Sequence, residues 1–408
     1  MDRQITRRDF LGSAAAGLAL HAGDSPGFPG TVAQRWSAKT GLSPSDRKLI
    51  LVVFGGGTRN SETIDDPPHR FIPRLWGEMV PRGTLFTNMR VEHRVVHPNC
   101  TGSIKTGHWE WDHLDWSRPV AHPSVFEVFR RHRDAPDTAA WAFVYASILT
   151  GTGFSEARGY GERFAANVVV PPTIPRGTAE AMSGLMTRAA QQGSPQAEVE
   201  AATQCARLVR QTSRISTAGL RSEAARRWLD RRYRRWRDGS GTTSHDAFLT
   251  ELAVRAMRDF SPEVISVDYG EIDCAHYGSW SRYVEAIRRT DALTWRLWQA
   301  ASALPDYQGR TLMLVLPDHG RELERPGGAG FVHHSDFYTG EGADEGCRRV
   351  WMLALSPGVA PGRTIERPTA ITAAAATGLE FLGLEASPAA AASVLDVAAA
   401  ATREGRME

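Results

Sequence analysis

Three apolar stretches in this chain run directly into polar ones: "KLILVVFGGG" (48–57), "VISVDYGEIDCAH" (264–276) and "LMLVLPDHG" (312–320). A near-continuous apolar run, rather than an alternating one, is the pattern of a strand buried on both faces in a parallel sheet. Sheets of that kind place their sites at the carboxyl ends of the strands. The three runs therefore predict both a fold class and a location for function: an α/β protein whose polar tips lie where a site would form.

The rest of the chain agrees with that class. "AAWAFVYAS" (139–147), "FAANVVVPPT" (164–173) and "RRVWMLALSPGV" (348–359) read as further strands, the second stopped by two prolines. "PSVFEVFRRH" (123–132), "SRYVEAIRRTDALTWRLWQAAS" (281–302) and "TAITAAAATGLEFLGL" (369–384) read as helices. Alternating strands and helices predict a mostly parallel central sheet with helices on both faces. Residues 174–260 interrupt the alternation with helix formers at helical apolar spacing, as a helical insertion would. The expected layout is a signal and linker over 1–30, sheet segments over 45–173 and 261–385, the insertion over 174–260, and an alanine-rich tail over 386–408. No internal repeat is present.

Composition removes several alternatives. Lys and Arg number 48 against 46 Asp and Glu, a net charge of +2, so the whole chain makes no case for nucleic acid. The Arg/Trp/Tyr run at 225–237 is read as a solvated helix face with Trp228, Tyr233 and Trp236 turned inward. Four scattered cysteines with no CxxC pair indicate neither a zinc ribbon nor a disulfide scaffold. "TRRDFLGSAAAGLAL" resembles a twin-arginine export signal, with Gly12 where that pattern has Lys, and its apolar run is too short to span a bilayer. The expectation is export to the periplasm or beyond, with no membrane span in the mature chain.

Two of these strand ends, and a later glycine-rich loop, carry residues that bind metals. Asp273 and His276 stand three apart past one strand, and Asp318 and His319 are adjacent past another. His333 and His334 follow in "GGAGFVHHSD". Imidazole nitrogens and carboxylates in this combination suit a borderline divalent ion, zinc or manganese. A lone histidine or a strand-end Asp is ordinarily structural. Three segments bearing them together are harder to explain that way, because such groups are costly to bury unpaired.

These segments resemble the alkaline phosphatase superfamily, which includes sulfatases, nucleotide phosphodiesterases and cofactor-independent phosphoglycerate mutases. "LVLPDHGRE" is similar to its S-D-H-G segment and "IDCAHYGSWSRYVEAIRRTD" to its D-x-x-G-H-x-G segment. "FVHHSD…CRRVWMLALSPGV" is similar to its His-Gly segment and the strand after it. The resemblance covers about 48–170 and 262–380. It implies one or two divalent ions, with Asp273, His276 and His334 (His333 as the alternate) on one metal and Asp318 and His319 on the other.

The resemblance also has departures. Where the family's first strand ends in D-G-x-R, this chain has Gly56-Gly57-Thr58-Arg59, so a metal carboxylate is missing; Glu62 and Asp65 are near enough in sequence to reach back. In "HPNCTGSIKTG" the family's nucleophile corresponds to Thr101, with Ser103 and Cys100 as neighbours, while the sulfatase cysteine would fall near His97. The sulfatase C-x-P-S-R signature is absent. The implied activity is a metal-dependent hydrolase of small-molecule phosphoesters, with Thr101 attacking and Arg59 and Lys105 stabilising charge on the substrate oxygens. The alternatives are a protein that binds metal or ligand without turnover, and a sulfatase or phosphotransferase. The Trp-rich stretch "HWEWDHLDW" (108–116) and the insertion are where substrate specificity would lie; the stretch also reads as a loop of buried indoles.

Overall fold

The computed structural model describes residues 40–111, 118–239, 244–323, 330–334, 344–387 and 390–399, together with Gln34, Trp36, Ser37 and Trp116. The twin-arginine segment and the end of the alanine-rich tail lie outside the described residues.

Nine strands form one sheet: β1 Lys48–Phe54, β2 Thr84–Arg90, β3 Ala140–Val144, β4 Asn167–Val169, β5 Val264–Tyr269, β6 Thr311–Pro317, β7 Arg349–Leu355, β8 Arg363–Ile365 and β9 Thr369–Ala370. Their order is β4-β3-β5-β1-β6-β7-β2-β8, with β9 beside β2. β7 runs antiparallel to both of its neighbours, and every other pairing is parallel. The three apolar runs of the sequence are thus the three adjacent central strands. Phe54 is in register with Tyr269 on one side and with Pro317 on the other, so β1, β5 and β6 end at one level.

β1 shows why the sequence forms a two-faced strand. Ile50, Val52 and Phe54 pack on one side with Met313 and Val315, under residues such as Leu229, Phe248, Leu252, Ile287 and Leu297. Leu49, Leu51 and Val53 pack on the other with Leu312 and Leu314, under Ile104, Phe126, Phe129 and Leu379. Each face buries its own core, so neither can carry a polar alternation.

The helices are α1 His97–Thr106, α2 Val125–Arg133, α3 Arg176–Gln192, α4 Pro195–Thr212, α5 Glu223–Asp238, α6 His245–Asp259, α7 Trp280–Ala303, α8 Glu345–Arg348, α9 Ala373–Phe381 and α10 Leu395–Ala399. α2 starts with a capping box between Ser124 and Glu127. The helix formers of 174–260 make α3 to α6. On α5, Trp228 is 3% exposed and packs against Trp141 and Phe260, Tyr233 is buried, and Trp236 packs on Phe248. The arginines between them, Arg227, Arg231 and Arg234, face outward, which is the solvated-face pattern. Among the described residues, no helix is long and apolar enough to cross a membrane.

α1 was not legible as a helix. It opens on His97-Pro98, with proline early in the first turn, and closes on Gly107 at φ +79°. All ten of its residues are buried, so it carries no amphipathic stripe. Gly102 makes that packing possible: a Cβ there would come 2.9 Å from the Trp111 ring. In the Trp-rich stretch Trp111 is buried, Trp109 and Trp116 are half-buried, and Trp116 donates to Asn99 Oδ1 at 3.0 Å; residues 112–115 lie outside the described residues.

Candidate metal centre

The site lies beyond the common carboxyl edge of β1, β5 and β6, with the first residue of α1 set into it. β5 continues into a 3-10 turn, Glu271–Tyr277, that carries Asp273 and His276. β6 ends one residue before Asp318 and His319, both fully buried. His334 enters from the segment after a short turn at Gly330–Val332. Of the two histidines open in the sequence, His334 is the one brought in: its ring centroid lies 4.5 Å from that of His319 and 4.8 Å from that of His276.

His97 is at the centre. Its Nδ1 lies 2.6 Å from Asp318 Oδ2, 2.8 Å from His319 Nε2 and 3.2 Å from the Gly56 amide. Its Nε2 lies 2.9 Å from Asp273 Oδ1, which also lies 3.2 Å from His276 Nε2. Among the described residues two ligand sets can be drawn, His97–His319–His334 and His97–Asp273–His276, and both contain His97. The grouping differs from the one implied by the family: His334 joins His319 through His97, while Asp273 and His276 form the other arm. His97 was not among the expected ligands. The signal that points to it was the spacing that puts the sulfatase cysteine near that position, together with the His-Pro start of a helix.

The surrounding contacts set these imidazoles up as ligands. His319 Nδ1 lies 2.7 Å from Gly320 O, and His334 Nδ1 lies 2.8 Å from Val95 O. A ring nitrogen facing a carbonyl must donate to it, so in each ring the lone pair is left on Nε2. Burial, opposed by Asp318 and reinforced by His97, takes His319 down to about 4. Burial and then the neighbouring His319 and His97 drive His334 well below the usual histidine range. Both rings are therefore neutral, as metal ligands must be. Burial opposes charge on His97 as well, but Asp318 and Asp273 outweigh it and push its pKa up to about 9, so an ion bound at this ring must displace its proton. Burial works against the charge on Asp273 and Asp318 too; the histidines beside them prevail and hold both carboxyls below the usual range. Two neutral imidazoles, a third that gives up its proton to an incoming ion, and ionised carboxylates beside them make a donor set that fits a borderline divalent ion.

The expected substrate-handling residues are placed differently. Thr101 is 1% exposed, one helical turn inside α1 from His97. Arg59 is bidentate to Glu62 at 2.6 and 2.7 Å and donates to Glu322 O at 2.8 Å, so it is held as a structural cation instead of facing a substrate. Lys105 is fully buried, with Nζ 2.5 Å from Asp268 Oδ2 and 2.8 Å from Thr152 Oγ1. Glu62 is committed to Arg59 and to the Tyr283 hydroxyl, and Asp65 to Arg349, so neither supplies the missing carboxylate.

Gly56 has φ +109°, and a Cβ on it would stand 2.4 Å from the Asp273 amide nitrogen. The local backbone therefore cannot carry the carboxylate that the family has there. Gly56→Asp is expected to lower stability by about 1–3 kcal/mol or more through backbone strain and collision with the Asp273 main chain. A thermal melt of the metal-free protein checks this; an unchanged melting temperature would mean that the loop can rearrange.

No protein-family profile matches the chain, and no curated protein matches it by sequence. Solved structures match across most of the chain. Ps i-CgsB in complex with k-i-k-neocarrahexaose is 12% identical, with a TM-score of 0.53 over 85% of this chain and 74% of that one. The phosphonate monoester hydrolase of Agrobacterium radiobacter is 15% identical, with a TM-score of 0.50 over 88% and 78%. A 2-O GAG sulfatase is 11% identical, with a TM-score of 0.51 over 88% and 75%. At these identities the likeness is one of architecture, and it matches the mixed, mostly parallel sheet described above. The protein has the alkaline phosphatase-like fold, which it shares with sulfatases and phosphonate monoester hydrolases.

Proposed function

We propose that the protein is a metal-dependent hydrolase of small-molecule phosphoryl or sulfuryl esters, with the phosphoester as the first expectation. The observation that carries this reading is the convergence of His97, His319 and His334, with Asp318 and Asp273 alongside, at the common edge of β1, β5 and β6. Hydrolases of both ester types are found among the structures of the same fold. A bound divalent ion would polarise the ester's non-bridging oxygens and lower the pKa of a bound water. His319 and His334 would hold it through Nε2. His97 joins the two arms of the site, and Asp318, which accepts from the His319 amide at 2.9 Å, keeps the strand end fixed around them.

The attacking group divides the proposal into two testable forms. Thr101 would have to reach out of a helix interior that buries it. Direct attack by water requires no such movement, and it is the form we favour. Thr101→Ala should then keep activity within a few-fold; a loss of more than about 100-fold would restore Thr101 as the nucleophile. The test of the function itself is a panel of chromogenic phosphomonoesters, phosphodiesters, phosphonate monoesters and sulfate esters with added zinc, manganese or calcium. Metal-dependent turnover of at least one is expected, and turnover of none would leave binding without catalysis, the reading that Gly56 and the buried Thr101 favour.

We also propose export by the twin-arginine route, supported by "TRRDFLG" at residues 6–12. Replacing Arg7 and Arg8 together with Lys should leave the protein in the cytoplasm on cell fractionation. Unchanged export of that variant would reject the route.

A further inference from the structure

Three residues past Asp318, Arg321 is fully buried, and its guanidinium reaches into the site itself. Its Nε donates to Gly56 O at 3.1 Å and Gly57 O at 3.0 Å, and its Nη2 donates to Gly56 O at 2.5 Å. Nη2 also lies 3.4 Å from Asp273 Oδ1, and Nη1 donates to Val332 O at 3.0 Å and lies 3.5 Å from His276 Nδ1. Every nitrogen of the group is thus occupied, and its contacts come from three different segments at the strand edge. Gly57 makes room for it: a Cβ there would stand 3.0 Å from Arg321 Cγ, 3.1 Å from Arg321 Nε and 2.8 Å from His319 Cε1.

We infer that Arg321 takes the place of a second divalent cation, so that the site holds one ion, at His97, His319 and His334. The inference rests on the metal-dependent reading above and specifies its stoichiometry. A guanidinium stays charged even when burial works against it. This one directs that charge at Asp273 and His276, the arm that would otherwise hold the second ion. A divalent ion there would face a fixed positive charge that lies 3.4 Å from Asp273 and 3.5 Å from His276, in a medium where like charges repel strongly. The loop after β1 shows the same exchange from the other side: it offers two carbonyl oxygens to a cation and no carboxylate to a metal. Asp273 then neutralises Arg321 instead of serving as a full metal ligand.

Equilibrium dialysis of the full-length, metal-free protein against zinc or manganese, with metal counted by mass spectrometry, tests this. The native protein should bind one equivalent, and so should Arg321→Lys, which keeps the charge. Arg321→Met should bind a second equivalent at least ten-fold more tightly than the native protein does, and adding His276→Ala should remove it. In the native background, His276→Ala should leave the affinity for the single ion within three-fold, whereas His334→Ala should weaken it at least ten-fold; this pair keeps the test decisive if Arg321→Met does not fold. Two equivalents in the native protein, one in folded Arg321→Met, or a ten-fold loss in His276→Ala would each overturn the inference. No metal in any variant would instead overturn the metal-dependent reading on which it rests.

Discussion

His97→Ala should lower the affinity for zinc or manganese by at least about 100-fold and reduce any ester hydrolysis at least as much. Altering a residue that merely orients a ligand already costs about 10–100-fold in metal affinity or activity. His97 is more central than that, because it belongs to both ligand sets and touches Asp318, Asp273 and His319 directly. At 25 °C a 100-fold loss corresponds to about 2.7 kcal/mol. The variant should also melt earlier without metal, because Asp318 is fully buried and loses its nearest cation. Titration calorimetry with the native protein and His97→Ala gives the comparison. Affinities within three-fold of each other would show that the ion, if bound, sits elsewhere.

Lys105→Met should cost about 3–5 kcal/mol of folding stability, the amount lost when one partner of a buried ion pair is removed and the other charge is left behind. Lys105 and Asp268 are both fully buried, and the pair joins the inner half of α1 to the end of β5. Burial lowers the Lys105 pKa and raises that of Asp268, so each depends on the other to stay charged. Lys105→Met with Asp268→Leu should recover most of the loss, because an apolar pair of similar volume removes both charges. A double variant as unstable as the sum of the two single ones would mean the pair is not coupled. The same pair occupies the ammonium that was expected to face substrate: Lys105 Nζ is bonded to Asp268 and Thr152 within the core.

The central sheet was legible because β1, β5 and β6 are buried on both faces and must be written in apolar residues. β2 was not, because its burial is interrupted and its pairing with β7 shifts register between Phe86 and Met89. Asp273, His276, Asp318 and His319 could be read from their positions just past strands and His334 from the glycine-rich loop that resembles the family's His-Gly segment, and the structure gathers all five. Their grouping could not be read, since it depends on a residue that no strand end supplies. His97 enters through the start of a helix whose apolar pattern is hidden by complete burial. Arg59 and Lys105 were plausible phosphate ligands by charge alone, but sequence spacing does not show which acid a buried cation will face. Gly56 was visible as a missing carboxylate; the guanidinium that donates to its carbonyl comes from 265 residues further on.

Anomalous diffraction from crystals equilibrated with zinc tests the metal centre most directly. One strong peak should lie about 2.0–2.1 Å from Nε2 of both His319 and His334, with His97 as the third imidazole ligand. A map with no peak near these rings, or with zinc bound only on the surface, would contradict the proposed centre and the hydrolase built on it.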